Sequence, residues 1–251
     1  SGGARFVLNS MQTSAPEVRQ AKTPGPSAVF PLRVAAVDVG SNALRLSVTE
    51  FHDPSSSTVL AYERFPLRLG HDVFLTGLIS IESMDSALQG LRLFQQRIDG
   101  LGAVLRRAVA TSAVRESRNA GFFMERARGE AGMDLELISG SEEARLIHCA
   151  VRSRVPLGRR RWLLADLGGG SVEVSLADEQ GVLWSESHTM GSVRLLEELG
   201  GEGEEPGRFR NLLSEYIATL RIPSLVRRRK PAGFIATGGN IESLARLAGL
   251  P

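Results

Sequence analysis

The sequence predicts a mixed α/β fold made of two related domains, and three observations carry that prediction. The segment Val34-Ala35-Ala36-Val37-Asp38-Val39-Gly40-Ser41-Asn42-Ala43-Leu44-Arg45-Leu46-Ser47-Val48 is echoed by Trp162-Leu163-Leu164-Ala165-Asp166-Leu167-Gly168-Gly169-Gly170-Ser171-Val172-Glu173-Val174-Ser175-Leu176. Asp38 aligns with Asp166, Gly40 with Gly168, and Leu44, Leu46 and Val48 with Val172, Val174 and Leu176. Each copy reads as a buried strand, an Asp, a turn of small residues and an alternating strand. Secondly, each half shows three strand-like segments and then alternating helical and strand-like ones, the order expected of a partly parallel sheet. Thirdly, 251 residues with 42 % hydrophobic content suffice for two small domains with cores of their own.

Taken in order, residues 1–30 are rich in Ser, Pro, Gly, Gln and Thr without periodicity and are expected to form a disordered tail. Strands are expected at 33–38, 44–51 and 58–65. Ser80 is placed to cap a helix whose apolar positions Ile81, Met84, Leu88, Leu91, Phe94 and Ile98 follow helical spacing. A strand at 105–110 runs into Ala110-Thr111-Ser112-Ala113-Val114-Arg115, where a short helix begins. A helix near 120–130, a strand at 135–138 and a helix capped by Ser141 close the first unit, and Pro156-Leu157-Gly158 reads as the connection between domains. The second unit has strands at 161–166, 171–177, 182–188 and 234–237, with helices near 192–199, 207–220 and up to about 248. The expected division is 31–157 and 158–251, the second domain being incomplete because the first unit's pattern calls for more chain after Gly238-Gly239.

Composition narrows the function. No apolar run approaches the ~18 residues of a membrane span, and the N-terminus lacks a signal-peptide core. Cys149 is the single cysteine, so no intramolecular disulfide can form and a cytoplasmic location is expected. Its neighbours Ile147, Ala150 and Val151 point to a buried core thiol. The four histidines show no zinc spacing. A net charge of +2 does not call for nucleic acid. The basic runs Arg159-Arg160-Arg161 and Arg227-Arg228-Arg229-Lys230 are read as solvated connections before the strands that follow them, with long-range attraction of polyanions left open.

The chemistry concentrates at the two hairpins. Glycine-rich turns let consecutive N–H groups converge on anionic oxygens. The preceding carboxylate would repel phosphate unless a hard cation lay between them. Gly, Asn and Ser are also ordinary turn residues, but two matching turns, each led by an Asp, favour a functional reading. Glu173 follows the second turn at the position Arg45 holds in the first; it is either a solvated strand residue or a second acid beside Asp166. Arg115 opens a helix after a strand, as either a phosphate fork or a surface Arg. Glu142 and Glu143 lie in a first helical turn, where the helix dipole alone explains acids. Gly238-Gly239-Asn240 between strand and helix suits a phosphate contact or a tight turn equally.

Together these pieces resemble the exopolyphosphatase / guanosine pentaphosphate phosphohydrolase (Ppx/GppA) family, within the superfamily of actin, heat-shock ATPases and sugar kinases. The segments that carry the resemblance are 37–42, 110–115 with Asn119, 138–146, 166–173, 190–195 and 237–240, in the family's order. The resemblance implies two actin-like (ribonuclease H-like) domains with mixed sheets flanked by helices and a site in the cleft between them. It implies hydrolysis of a terminal phosphoanhydride of polyphosphate or of the 5′ phosphate of pppGpp, the latter a stringent-response activity. Glu143 becomes the catalytic base, and Asp166 and Glu173 the residues that position Mg²⁺ and water. Asp38, Gly40, Ser41, Asn42, Arg115, Gly168, Gly169, Gly170, Ser171, Gly238 and Gly239 take phosphate-cleft positions. Implied partners are polyphosphate or guanosine penta- and tetraphosphate, without membrane or specific nucleic acid, and a homodimer is compatible. Val172 stands where the family usually has Thr, and Asn240 where Thr or Ser is usual. The family's closing part of the second domain and its C-terminal HD-like region are not in the sequence. Two alternatives share the fold: a binding-only sensor of these polyanions, and a nucleotide-dependent kinase.

Overall fold

The computed structural model of the chain describes residues 29–199, 206–220 and 223–249. The tail expected at 1–30 lies almost wholly outside the described residues. The first sheet starts with an antiparallel meander, β1 (Leu32–Val39), β2 (Ala43–Phe51) and β3 (Ser57–Pro66). Then come α1 (Leu69–Thr76), α2 (Ile81–Gly100), β4 (Leu105–Ala110), α3 (Ser112–Glu116), α4 (Ala120–Ala131) and β5 (Leu135–Leu137). Strand β4 pairs parallel to β1, and β5 parallel to β4, giving the order β3-β2-β1-β4-β5.

The second part follows the same plan. Helix α5 (Gly140–Arg152) leads into the meander β6 (Trp162–Leu167), β7 (Val172–Ala177) and β8 (Val182–His188). Helices α6 (Ser192–Leu199), α7 (Pro206–Ala218) and α8 (Ser224–Arg228) precede β9 (Gly233–Thr237), which pairs parallel to β6, and α9 (Gly239–Leu247) follows. The order is β8-β7-β6-β9. The sequence repeat is thus a structural repeat: Gly40 N–H donates to Ala43 O at 3.1 Å, and Gly168 N–H to Ser171 O at 3.0 Å. Asp38 pairs with Arg45, and Asp166 with Glu173, at equivalent registers.

Local chemistry accounts for the elements. Period-two alternation buries Ala35, Val37 and Val39 on one face of β1. Ser80 caps α2, its Oγ accepting from Ser83 N at 3.1 Å while donating to Asp72 Oδ2 at 2.6 Å. Met84, Leu88, Leu91, Phe94 and Ile98 then bury against the strands; Ile81, one turn too early, is exposed. Each fully buried side chain of this size contributes roughly 1.5–3 kcal/mol. Gly90 lets α2 lie close on the sheet, since a Cβ there would come within 2.7 Å of Leu44 Cδ1. A second, smaller core joins Val151, Leu157, Leu164 and Ala177.

Several details depart from expectation. The cap of α5 is Ser139, not Ser141: Ser139 is extended and its Oγ accepts from Glu142 N, whereas Ser141 already lies inside the helix. Cys149 is exposed rather than buried. Ala144, His148 and Val151 form the buried stripe of α5, and one further residue rotates Cys149 about 100° off it. Helix α5 packs on β7 and β8, and Leu157, within the expected connection, is buried in the second core. Helices α1 and α8 are additional to the expected elements; the residue before α1, Arg68, supplies no side-chain cap. Arg159–Arg161 and Arg228–Lys230 are exposed ahead of β6 and β9, as expected for solvated connections. No described helix is long and apolar enough to cross a membrane.

Candidate active site

The two repeated turns face each other and touch. A Cβ on Gly169 would come within 3.2 Å of Ser41 Cβ, and one on Gly170 would collide with Ser112 Oγ and reach Ser41 Oγ at 2.9 Å. Ser41 and Ser112 share a buried hydrogen bond of 3.0 Å. Glycine is required in the second turn because no side chain fits between the two domains.

Each turn is held from behind by the helix that follows its meander. Gly70 N and Leu67 N, at the start of α1, donate to Ser41 O and Asn42 O at 2.8 and 3.4 Å. At the start of α6, Ser192 N donates to Gly168 O at 3.1 Å, and Val193 N and Arg194 N donate to Gly169 O at 2.8 and 3.1 Å. In a trans peptide the N–H points opposite to the preceding carbonyl. The N–H groups of Asn42, Gly169 and Gly170 are therefore directed away from the helices, and none has a hydrogen-bond acceptor among the described residues. Helices α1 and α6 also pack against each other, joined by His71 Nδ1 and Glu197 Oε1 at 2.9 Å.

A row of polar side chains crosses the second sheet in register: Ser187, Glu173, Asp166 and Thr237. Directly opposed residues share a face. Thr237 Oγ1 donates to Asp166 Oδ1, and Ser187 Oγ donates to Glu173 Oε1 at 2.9 Å. Glu173 is only 4 % exposed, which rules out a solvated strand face; α5 covers it. Burial pushes its carboxyl up, the hydroxyls of Ser171 and Ser187 oppose, and Asp166 adds to the rise. The corresponding row of the first sheet carries Arg64, Arg45 and Asp38. Arg45 Nη1 donates to Asp38 Oδ2 at 3.2 Å. The Asp38 carboxylate keeps contact with solvent, yet desolvation raises its pKa against the pull of Arg45, with Asp166 contributing further.

The adjacent acids of α5 have opposite fates. Glu142 turns outward and accepts from Arg145 and from Arg107 at 2.7–3.0 Å; these bonds hold it at about 2. Glu143 turns inward and is pushed up to about 7, by burial first and then by Glu173 and Asp38, with Arg115 opposing. Arg115 Nη1 donates to Glu143 Oε2 and to Ile138 O, both at 2.8 Å. Its Nε and Nη2 have no partner among the described residues.

Gly238 and Gly239 join β9 to α9 beside this row. Gly238 has φ +102°, and a Cβ there would lie 2.6 Å from Leu167 O. Arg45 Nη2 would lie 3.2 Å from a Cβ on Gly239, so the guanidinium spans Asp38 and the start of α9. Asn240 Nδ2 donates to Leu167 O at 3.1 Å and Gly168 O at 3.4 Å, fastening the second turn to α9.

The structure brings Asp38, Arg115, Glu143, Asp166 and Glu173 together with the two facing turns, leaves Glu142 outside the cleft, and adds two residues. In the sequence Arg45 stands out only as the counterpart of Glu173. Arg194 lies in a matched segment without an assigned role. Its Nε donates to Gly170 O at 3.0 Å, its Nη2 reaches Glu116 Oε2 at 2.5 Å, and its guanidinium lies 3.9 Å from the centre of the Phe74 ring.

No group of three or more His, Cys, Asp or Glu side chains among the described residues is arranged to hold a metal by itself. A smaller donor set remains in Asp166 and Glu173, paired on one sheet face. Mg²⁺ commonly takes one or two carboxylates and completes its shell with water and phosphate, so these residues fit that ion.

Comparison with known proteins identifies relatives of the chain. The chain is 32% identical over 222 residues to Exopolyphosphatase 1 of Mycobacterium tuberculosis (strain ATCC 25618 / H37Rv), covering 87% of this chain and 64% of that relative. It therefore spans about 64% of the length of the curated relative. Among solved structures, an exopolyphosphatase from Cytophaga hutchinsonii superposes with a TM-score of 0.80 at 29% identity, over 86% of this chain and 69% of that one. The Aquifex aeolicus Ppx/GppA family member gives a TM-score of 0.68 at 26% identity, with the same coverages. These matches agree with the observed mixed α/β fold of two sheets flanked by helices. With residues 48–222 matching its family description directly, the chain belongs to the Ppx/GppA phosphatase family.

Proposed function

We propose that this chain carries the catalytic cleft of an exopolyphosphatase-type hydrolase, which releases terminal phosphate from inorganic polyphosphate. The observation that carries the reading is Glu143: a half-buried carboxyl hydrogen-bonded to Arg115 at 2.8 Å and pushed up to about 7 by burial and by the nearby acids Glu173 and Asp38 of the two sheets. A general base works best with a pKa near the working pH. In this reading the open N–H groups of Asn42, Gly169 and Gly170, with Ser41 and Ser171, surround the terminal phosphate. Gly40, Gly168, Gly238 and Gly239 let the backbone approach it. The free edge of Arg115 takes a phosphate oxygen, and Glu143 accepts the proton of the attacking water.

Phosphoryl transfer asks mainly for positioning and charge neutralisation. Asp166 and Glu173 would hold Mg²⁺, directly or through water, and Asp38 would face it from the other domain. The bound ion would neutralise phosphate charge beside these carboxylates. The 5′ phosphate of pppGpp is a chemically equivalent terminal anhydride and is proposed as a second substrate.

The test is phosphate release from polyphosphate and from pppGpp, with and without Mg²⁺. Release from polyphosphate that needs the ion supports the reading. Saturable binding without release would instead make the cleft a sensor, and ATP-dependent transfer to a sugar would make it a kinase.

A further inference from the structure

Three carbonyls of the second turn point at α6, but they are not held alike. Those of Gly168 and Gly169 accept from backbone N–H groups of α6. The carbonyl of Gly170 accepts from a side chain, Arg194 Nε. By peptide planarity, the orientation of that carbonyl sets the direction of the Ser171 N–H. That N–H has no acceptor among the described residues. We propose that Arg194 is a positioning residue that aims the Ser171 N–H into the cleft and completes the anion-binding turn; this rests on the function proposed above.

Arg194 is suited to that task because it is itself fixed from the other domain. It is 8 % exposed, stacks on Phe74 of α1, and pairs with Glu116 of α3. Its remaining ion-pair partner, Glu198, lies one turn along its own helix at 3.6 Å. One planar guanidinium therefore serves a carbonyl, a carboxylate and a ring face at once. An ammonium cannot reproduce this fork. The third N–H of the turn is thus set by contacts from α1 and α3, and it takes its place only when the two domains are packed together as described.

The test compares R194Q, R194K, E116Q and E198Q with the unmodified chain. Loss of one well-aimed donor to a developing oxyanion lowers kcat by roughly 10²–10³, so misaiming one is expected to lower kcat at least ~10-fold in R194Q. The KM for long polyphosphate should move less than about threefold, because the rest of the polymer binds elsewhere. R194K should not rescue. E116Q should fall in the same direction but less far, since its amide oxygen still accepts from Nη2. E198Q leaves the Gly170 and Glu116 contacts in place and should stay within about twofold.

A second readout needs no activity. Amide resonances of Gly170 and Ser171 should be single and sharp in the unmodified chain, and broadened by microsecond-to-millisecond exchange in R194Q. Unchanged kcat in R194Q, an equal loss in E198Q, or identical amide line shapes would each overturn the proposal. If the unmodified chain releases no phosphate, the functional reading fails, and the line shapes alone decide the role of Arg194.

Discussion

Arg115 holds Glu143 by a single 2.8 Å hydrogen bond, while Glu142, one residue earlier, is claimed by Arg107 and Arg145 on the outside of the same helix. The consequence is a split of about five pH units between neighbouring glutamates, about 2 against about 7. This divergence of environment is the basis for proposing Glu143, and not Glu142, as the base.

The first expectation follows for Glu143→Gln. Gln keeps the size and still accepts from Arg115 but cannot take a proton, so hydrolysis should fall at least ~10²-fold with little change in substrate affinity. Glu142→Gln should cost far less. Phosphate release and polyphosphate binding, measured side by side, check both; near-normal turnover in E143Q removes Glu143 from the chemistry.

The pH dependence has a definite sign. The base must be ionised, so kcat/KM should rise with pH through about 7, where Glu143 titrates. Arg115 favours the ionised form, so Arg115→Gln should move this limb to higher pH as well as weaken phosphate binding. A limb that stays in place in R115Q would assign the titration to another group.

The same shift links to stability. A folded-state pKa above the unfolded value means that the native chain binds more protons between about 4.5 and about 7, so stability falls as pH rises across that window. The size is about 3 kcal/mol, from a shift of some 2.5 units at 1.36 kcal/mol each. E143Q lacks this loss. It should be more stable than the unmodified chain at pH 8 and comparable at pH 4.5, as read by urea denaturation at both values. Equal stability at pH 8 would mean that Glu143 is not strained by its surroundings.

Much of this site was legible because its chemistry is local. The repeat Asp38 to Val48 and Asp166 to Leu176 already placed an acid, a turn and an alternating strand in each domain, and the registers Asp38 with Arg45 and Asp166 with Glu173 follow from the hairpins themselves. The repeat also extends to a helix after each meander. Helix α6 was expected after the third strand of the second meander, and α1 occupies the same place in the first without a capping signal. What could not be read locally depends on partners far along the chain. Glu142 and Glu143 differ by about 100° around one helix, and which of them faces the cleft is settled by Arg107 and Arg115, 35 and 28 residues away. Arg194 acquires its role from Glu116 and Phe74 in the other domain.

The metal expectation rests on the paired acids of the second sheet. Asp166→Asn and Glu173→Gln should each raise the Mg²⁺ concentration needed for half-maximal activity, since hard cations prefer charged oxygen ligands. Gln at 173 still accepts from Ser187, so E173Q should fold normally. Metal titrations that match the unmodified chain in both variants, or activity that survives a chelator, would remove the ion from this site.

The contact between the turns yields the last expectation. Gly170 faces Ser41, Phe74 and Ser112 of the first domain, and an added Cβ would collide with all three. Ser41 and Ser112 are buried and bonded to each other, so they cannot swing aside cheaply. Gly170→Ala should therefore push the second turn off the first and cost about 1–3 kcal/mol, the usual range for overpacking. Gly181→Ala lies in the β7–β8 turn, where a Cβ would meet nothing within 4 Å, and serves as the matched control. The useful measurement is thermal unfolding together with turnover. G170A should lose both stability and activity, and G181A neither. If G170A kept full turnover, the close approach of the two turns would not be needed for catalysis, and the phosphate would have to be held by one turn alone.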